Sequence, residues 1–146
     1  MNFTDFEKFV SEKEIANPVW FGLEPDSPAH ENSIALAQKQ LNAIFPDEYI
    51  QFIKRYGGGY FALGVVFSLD PGSDFNLVEI NKRESHPRDS YILCSENGSG
   101  DFYGFKVINE KCLSEIYFLD HETGEWEKTK YESLLNFLSE IALSNQ

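Results

Sequence analysis

Two glycine-rich segments, 57–59 and 98–100, are the first places in this sequence to look for chemistry. Glycine loops bind phosphate through backbone N–H groups where they open a helix, usually with a lysine nearby. Residues 57–59 instead follow a predicted helix, and Glu96 and Asp101 flank the second segment, where their carboxylates would repel phosphate. Turns that require a positive φ therefore explain these glycines better than nucleotide binding does.

Carboxylates are the most numerous candidate ligands and catalysts, because 24 of the 146 residues are Asp or Glu. Four of them could meet in space and bind Ca²⁺: Asp70, Asp74, Glu96 and Asp101. However, the sequence contains no EF-hand loop and no closely spaced pair of histidines. No two acids are selected by their spacing as a glycosidase pair. We therefore predict no metal and no cofactor.

The candidate nucleophiles are equally unsupported. Ser99 lies in Asn-Gly-Ser-Gly, which lacks the first glycine of a nucleophile elbow. Cys94 lies in an apolar segment, where a thiol is normally an inert part of the core. We predict that the protein is not an enzyme, and a small hydrolase with paired carboxylates remains only an alternative.

The net charge of -12 narrows the choice of partner. An acidic surface repels nucleic acids and anionic membranes, so we expect the chain to bind neither. It attracts a basic protein partner, although acidity that serves only solubility is an equally common interpretation. No signal peptide and no membrane-spanning apolar run is recognisable, which predicts a cytoplasmic protein with reduced cysteines.

Hydrophobic periodicity predicts four helices. The first covers residues 4–15 with Thr4 as its cap, and Ser27 caps a second helix that begins at Pro28. The third runs from Pro46 to Tyr56, with acids in its first turn, bases in its last and Gly57 as its stop. A helix with an apolar stripe closes the chain after a cap at Thr129.

The strands are predicted from apolar and β-branched runs. A central strand is expected at 60–69 and another at 75–80, on either side of a turn at Asp70–Asp74. Three antiparallel strands follow at 91–95, 102–108 and 114–119, with a short strand around Trp126. This order predicts an α+β fold: a mostly antiparallel sheet of five to six strands with N-terminal and C-terminal helices packed on one side. The other face of the sheet would be partly exposed.

Two blocks carry a family resemblance. A helix of the pattern Pro-acid-x-Tyr-x-x-Phe-Ile leads to Gly57-Gly58, and Asn97-Gly98-Ser99-Gly100-Asp101 follows a later strand. This ordered set resembles the SUKH superfamily over residues 30–142, and in that superfamily the chain often continues from about residue 75 into a short helix instead of a strand. The resemblance implies one SUKH-like domain over residues 1–146, of which residues 1–29 form a poorly matched extension. Arg55-Tyr56 stands where an Asn often precedes the glycines.

The resemblance implies a protein-binding module, most simply an immunity protein that binds and inhibits a toxin. A basic nuclease is a suitable partner for an acidic face, and regulation of cell-wall glucan synthesis is the alternative function. Interfaces of this kind concentrate binding energy in aromatics surrounded by polar residues. The candidate partner-binding residues are Asp70, Asp74, Glu79, Glu96, Asp101, Tyr103, Trp20 and Trp126. The sequence leaves the identity of the toxin and the oligomeric state open.

Overall fold

A computed structural model describes residues 1–145 of the chain. The helices are α1 (Phe3–Ala16), α2 (Glu31–Leu41), α3 (Asp47–Tyr56), α4 (Leu77–Arg83) and α5 (Leu134–Ile141), with a 3-10 helix at Pro18–Phe21. The strands are β1 (Gly59–Phe61), β2 (Gly64–Val66), β3 (Tyr91–Glu96), β4 (Phe102–Ile108), β5 (Lys111–Leu119) and β6 (Trp126–Lys128). Among the described residues, every helix is too short or too polar to cross a bilayer.

The α+β prediction is confirmed. Strands β3, β4, β5 and β6 form an antiparallel sheet in that order, and β1 pairs with β2 in a separate hairpin. Ile92, Phe105 and Ile116 lie side by side across the main sheet and are fully buried. Helices α3 and α5 cover this face, where the ring of Tyr49 lies 6.0 Å from that of Phe105.

The opposite face of the main sheet is only partly covered. Tyr91, Lys106, Tyr117 and Trp126 lie there, and all four are half-buried. The rings of Tyr91 and Trp126 stack at 4.0 Å, and Lys106 Nζ lies 5.8 Å from the centre of the Tyr117 ring. Side chains alternate between faces along a strand, so the same strands supply both the core and this aromatic surface.

The predicted strand at 60–69 is wrong as a single element. Ala62 and Leu63 form a turn between β1 and β2, with Ala62 at φ 48°. The turn packs on α5: Leu63 N–H donates to the carbonyl of Ala142, and a Cβ at Gly64 would lie 3.1 Å from the Ala142 Cβ. The run contains few turn residues, and a contact with a distant helix decides where it bends.

The second half of the chain differs from prediction in one further element. Residues 77–83 form α4, whose N-cap Asn76 accepts the N–H of Glu79 at 3.0 Å, instead of continuing a strand. The three strands predicted after it are all present.

The helix starts also differ from prediction. The side chain of Asn2, instead of Thr4, caps α1, and Ser133, instead of Thr129, caps α5. Helix α2 begins at Glu31, well after Ser27. Several residues near each helix start are able to cap it, so the local pattern does not select one of them.

Candidate functional site

The three consecutive glycines after α3 allow a distant loop to lie directly on the backbone. Gly57, Gly58 and Gly59 all have positive φ, as predicted, with values of 82°, 107° and 70°. The loop containing Asp26 crosses them, and the N–H of Asp26 donates to the carbonyl of Gly58 at 2.8 Å. A Cβ at Gly57 would lie 2.0 Å from the carbonyl oxygen of Asp26. Close packing of the loop on the backbone therefore accounts for the three glycines, and a phosphate-binding role is not needed to explain them.

Asp26 joins this loop to the segment that follows β2. Its Oδ2 accepts hydrogen bonds from Ser68 Oγ at 2.7 Å and Ser73 Oγ at 2.6 Å. Sequence reasoning missed this residue, because its partners lie more than forty positions away and no local motif marks it. Its carboxylate fixes the turn that contains two of the predicted site residues.

Asp70 is held within that turn by backbone donors. Its carboxylate accepts the N–H of Ser27 and the N–H of Gly72, both at 3.1 Å. These bonds lower the pKa of Asp70 below its usual value, so the side chain carries its charge at neutral pH. Asp74, at the end of the same turn, is exposed.

A pocket of about 230 Å³ lies between α1, the 3-10 helix, the end of α3 and β1. We call it the aromatic pocket, and its apolar walls are Val10, Phe21, Leu23, Tyr56, Tyr60 and Phe61. Glu14 and Arg55 contribute charged groups to its lining. Burial raises the pKa of Tyr56 to about 12, which keeps its phenol neutral.

Tyr60 connects the aromatic pocket to the Asp70–Asp74 turn. It lines the pocket, and its ring also lies 5.1 Å from that of Phe75, which directly follows Asp74. We call the surface formed by the aromatic pocket, Tyr60 and residues 70–75 the Tyr60 face. It combines exposed aromatic area with fixed negative charge, an arrangement suited to binding a protein.

Glu79 lies next to this surface but in a different depression. An exposed groove between α2 and α4 is lined by Leu36, Leu69, Pro71 and Glu79. Pro71 belongs to the Asp70–Asp74 turn, so the structure places Asp70, Asp74 and Glu79 in one region of the surface.

Glu96 and Asp101 lie elsewhere, in the β3–β4 hairpin. Asp101 accepts the backbone N–H of His121 at 3.0 Å, and its Oδ1 lies 2.6 Å from Nδ1 of the same residue. The hydrogen bonds from His121 N–H and from Asn97 lower the pKa of Asp101 to about 2. Burial has the opposite effect on Glu96 and raises its pKa.

The four carboxylates considered for Ca²⁺ do not come together. Within residues 1–145, Asp101, Asp120 and His121 are the one group of three whose ligand atoms lie within 4.8 Å of one another. Asp101 and His121 are hydrogen-bonded to each other, and His121 is exposed. The group is therefore explained by a surface ion pair that joins two turns, and such exposed groups are common without a metal.

The aromatic candidates lie in three places. Tyr103 faces the helices, with its ring 4.7 Å from that of Phe137, and burial raises its pKa. Trp126 stacks flat on Tyr91 on the open face of the sheet. Its Nε1–H is buried and has no hydrogen-bond partner among residues 1–145. Trp20 is half-buried in the 3-10 helix.

The fold and these surfaces define an α+β protein with helices on one face of an antiparallel sheet. The chain belongs to the SUKH superfamily, because the SUKH_6 family, described as SMI1-KNR4 cell-wall, matches residues 31–138. Membership supports an immunity-protein or cell-wall-related module, and members are generally not enzymes. No curated protein matches the chain.

Proposed function

We propose that the protein is an immunity protein that binds and inhibits a basic toxin through the Tyr60 face. The observation that carries the proposal is the contact between Tyr60 and Phe75, which joins an aromatic pocket to a turn bearing Asp70 and Asp74. Aromatics supply the apolar contact area of an interface, and the neighbouring acids select a positively charged partner.

The charge of the whole chain supports the same partner. At -12, the protein attracts a basic nuclease over a distance of roughly one Debye length, ~8 Å at physiological salt. A nuclease binds phosphates in a positive groove, and the carboxylates of Asp70 and Asp74 present it with comparable negative charge. Steering of this kind raises association rate constants to ~10⁸–10⁹ M⁻¹s⁻¹ at low salt.

The test uses the purified toxin encoded beside this gene and measures association by stopped-flow fluorescence at low and high salt. Asp74→Lys should slow association by about tenfold or more at low salt, because the substituted residue lies in the interface. Glu132→Lys is the matched control: it changes the net charge equally, and Glu132 is an exposed residue outside the Tyr60 face. Equal effects of the two variants, or salt-independent binding, would contradict the proposal.

The family description also names the cell wall, which favours a second candidate function. In that function the same face binds a component of the cell-wall synthesis machinery. Growth with an inducible copy of the neighbouring toxin separates the two: an immunity protein restores viability, and a cell-wall regulator does not. Deletion of the gene in cells that lack the toxin would change the composition of the cell wall only if the protein is a regulator.

A further inference from the structure

We propose that the aromatic pocket binds an aromatic side chain next to a lysine or arginine of the partner, and that residues 10–25 set this preference. The inference rests on the proposed function and adds to it the chemistry of the bound segment. Three features of the pocket support it: the origin of its walls, their exposure and the charges around the opening.

The N-terminal segment builds much of the pocket. Val10, Phe21 and Leu23 all precede residues 31–138, which match the family, whereas Tyr60 and Phe61 lie inside them. The ring of Phe21 meets that of Phe61 edge to face at 6.3 Å, so the two parts form one wall. The segment outside the family match therefore determines much of the shape of the pocket.

The pocket has the size and the surface for an aromatic ring. A dry cavity of about 150 Å³ holds benzene, and the aromatic pocket measures about 230 Å³. Two of its wall residues are exposed at the surface, Leu23 at 59% and Tyr60 at 42%. Apolar groups exposed around a concave site are typical of protein-binding surfaces, because their burial is favourable.

The charges around the pocket favour a cation in the partner. Arg55 is already engaged: its Nε lies 3.3 Å from Glu7 Oε2, and its guanidinium lies 4.8 Å from the centre of the Tyr56 ring. Glu14 lines the pocket, is exposed and has no ion-pair partner among residues 1–145. The local charge is therefore negative, and a lysine or arginine beside the bound ring would neutralise Glu14.

The first test uses three synthetic heptapeptides and the ¹⁵N-labelled full chain. Gly-Gly-Arg-Phe-Arg-Gly-Gly should shift the amide signals of residues 10–25 and 55–62. Replacing its Phe by Ser, or both Arg by Glu, should weaken binding by about tenfold or more, since each removes one of the two recognised groups. Equal shifts with all three peptides, or shifts confined to other surfaces, would overturn the proposal.

Matched variants locate the effect in the pocket. Leu23→Ser and Glu14→Lys should each weaken binding of the Arg-Phe-Arg peptide. Ile108→Ser and Glu12→Lys, which alter exposed residues outside the pocket in the same ways, should not. All four positions are exposed, so the folded structure should persist, and circular dichroism checks this. Equal loss in a variant and its control would contradict the inference.

The toxin then separates this inference from the proposed function. If the toxin binds and Leu23→Ser leaves its dissociation rate unchanged, the pocket inference fails and the immunity function stands. If no toxin binds, the immunity function fails, and the peptide panel still decides the chemistry of the pocket. Sedimentation velocity tests whether a second copy of this chain occupies the pocket. If the unaltered chain forms a dimer and Leu23→Ser dissociates it, the pocket binds a second copy instead of the proposed partner.

Discussion

At the scale of single residues, the link between Asp101 and His121 has the clearest electrostatic consequence. It joins the β3–β4 turn to the turn that follows β5 through two contacts to one carboxylate. The hydrogen bond to Asp101 raises the pKa of His121 above 6.5, and the neighbouring Glu122 adds a smaller effect in the same direction. Each partner therefore favours the charged form of the other.

This pair predicts a defined pH dependence. The contribution of protonated His121 to stability is fully present below pH 6.5 and is lost as the pH rises through its raised folded-state pKa. The contribution of Asp101 is present above its usual pKa of 3.8 and is lost as the pH falls towards about 2. We therefore expect the pair to stabilise the fold most between pH 3.8 and pH 6.5, where both contributions are present.

An NMR titration of the His121 ring checks the assignment. Asp101→Asn should lower the pKa of His121 towards 6.5, because it removes the largest cause of the shift. Glu122→Gln is the control and should produce a smaller change. A pKa of 6.5 or below in the unaltered protein would show that the link does not form in solution.

At the scale of elements, the crossing of the Asp26 loop over the glycines after α3 holds the Tyr60 face together. The loop contributes Leu23 and Pro25 to the aromatic pocket, and Ser27 donates to Asp70 in the acidic turn. Its close approach to the end of α3 requires the absence of a side chain at Gly57. The loop therefore sets the position of both halves of the face.

Two glycine substitutions distinguish the destabilisation caused by backbone strain from that caused by a steric clash. Gly98 has φ 77° and nothing within 4 Å of the place a Cβ would occupy, whereas Gly57 has φ 82° and the Asp26 carbonyl oxygen 2.0 Å away. Gly98→Ala should lower the free energy of unfolding by about 1 kcal/mol, the cost of a positive φ alone. Gly57→Ala adds the clash and should lower it by roughly 3 kcal/mol or more. Urea denaturation measures both, and equal losses would contradict close packing of the Asp26 loop on Gly57.

At the scale of the whole molecule, the N-terminal helix belongs to the same core as the segment that matches the family. Phe6 is 0% exposed, and its ring lies 6.4 Å from that of Phe52 and 6.1 Å from that of Phe61. We therefore propose that residues 1–29 and the rest of the chain unfold as a single cooperative unit, as one domain would.

Phe6→Ala tests this cooperativity. Loss of a fully buried ring should lower the free energy of unfolding by about 3–5 kcal/mol and shift the transition of the whole chain. Phe9→Ala, in the same helix but half-buried, should cost roughly 1 kcal/mol. A separate low-temperature transition in Phe6→Ala, with the main transition unmoved, would show that the N-terminal segment is independent of the rest.

Local chemistry along the chain was sufficient to predict much of this fold. The acids at 47–48, the bases at 54–55 and the glycine at 57 predicted α3 to within one residue, since each acts within a turn of the helix. Apolar and β-branched runs bounded by turn residues predicted β3, β4 and β5, because these signals are also local. The net charge, and with it the expectation of a basic partner, also follows directly from composition.

Only the tertiary structure decided what the surface looks like. Asp26 meets Ser73 across 47 positions, and Tyr60 meets Phe75 while lining a pocket with Val10. The predicted Asp70 and Asp74 lie together on this face, whereas Asp101 lies in the β3–β4 hairpin. Local periodicity determines which side of an element a residue occupies. The neighbours of that residue depend on how the elements pack together. A local pattern carries no information about contacts between residues that are far apart in the sequence.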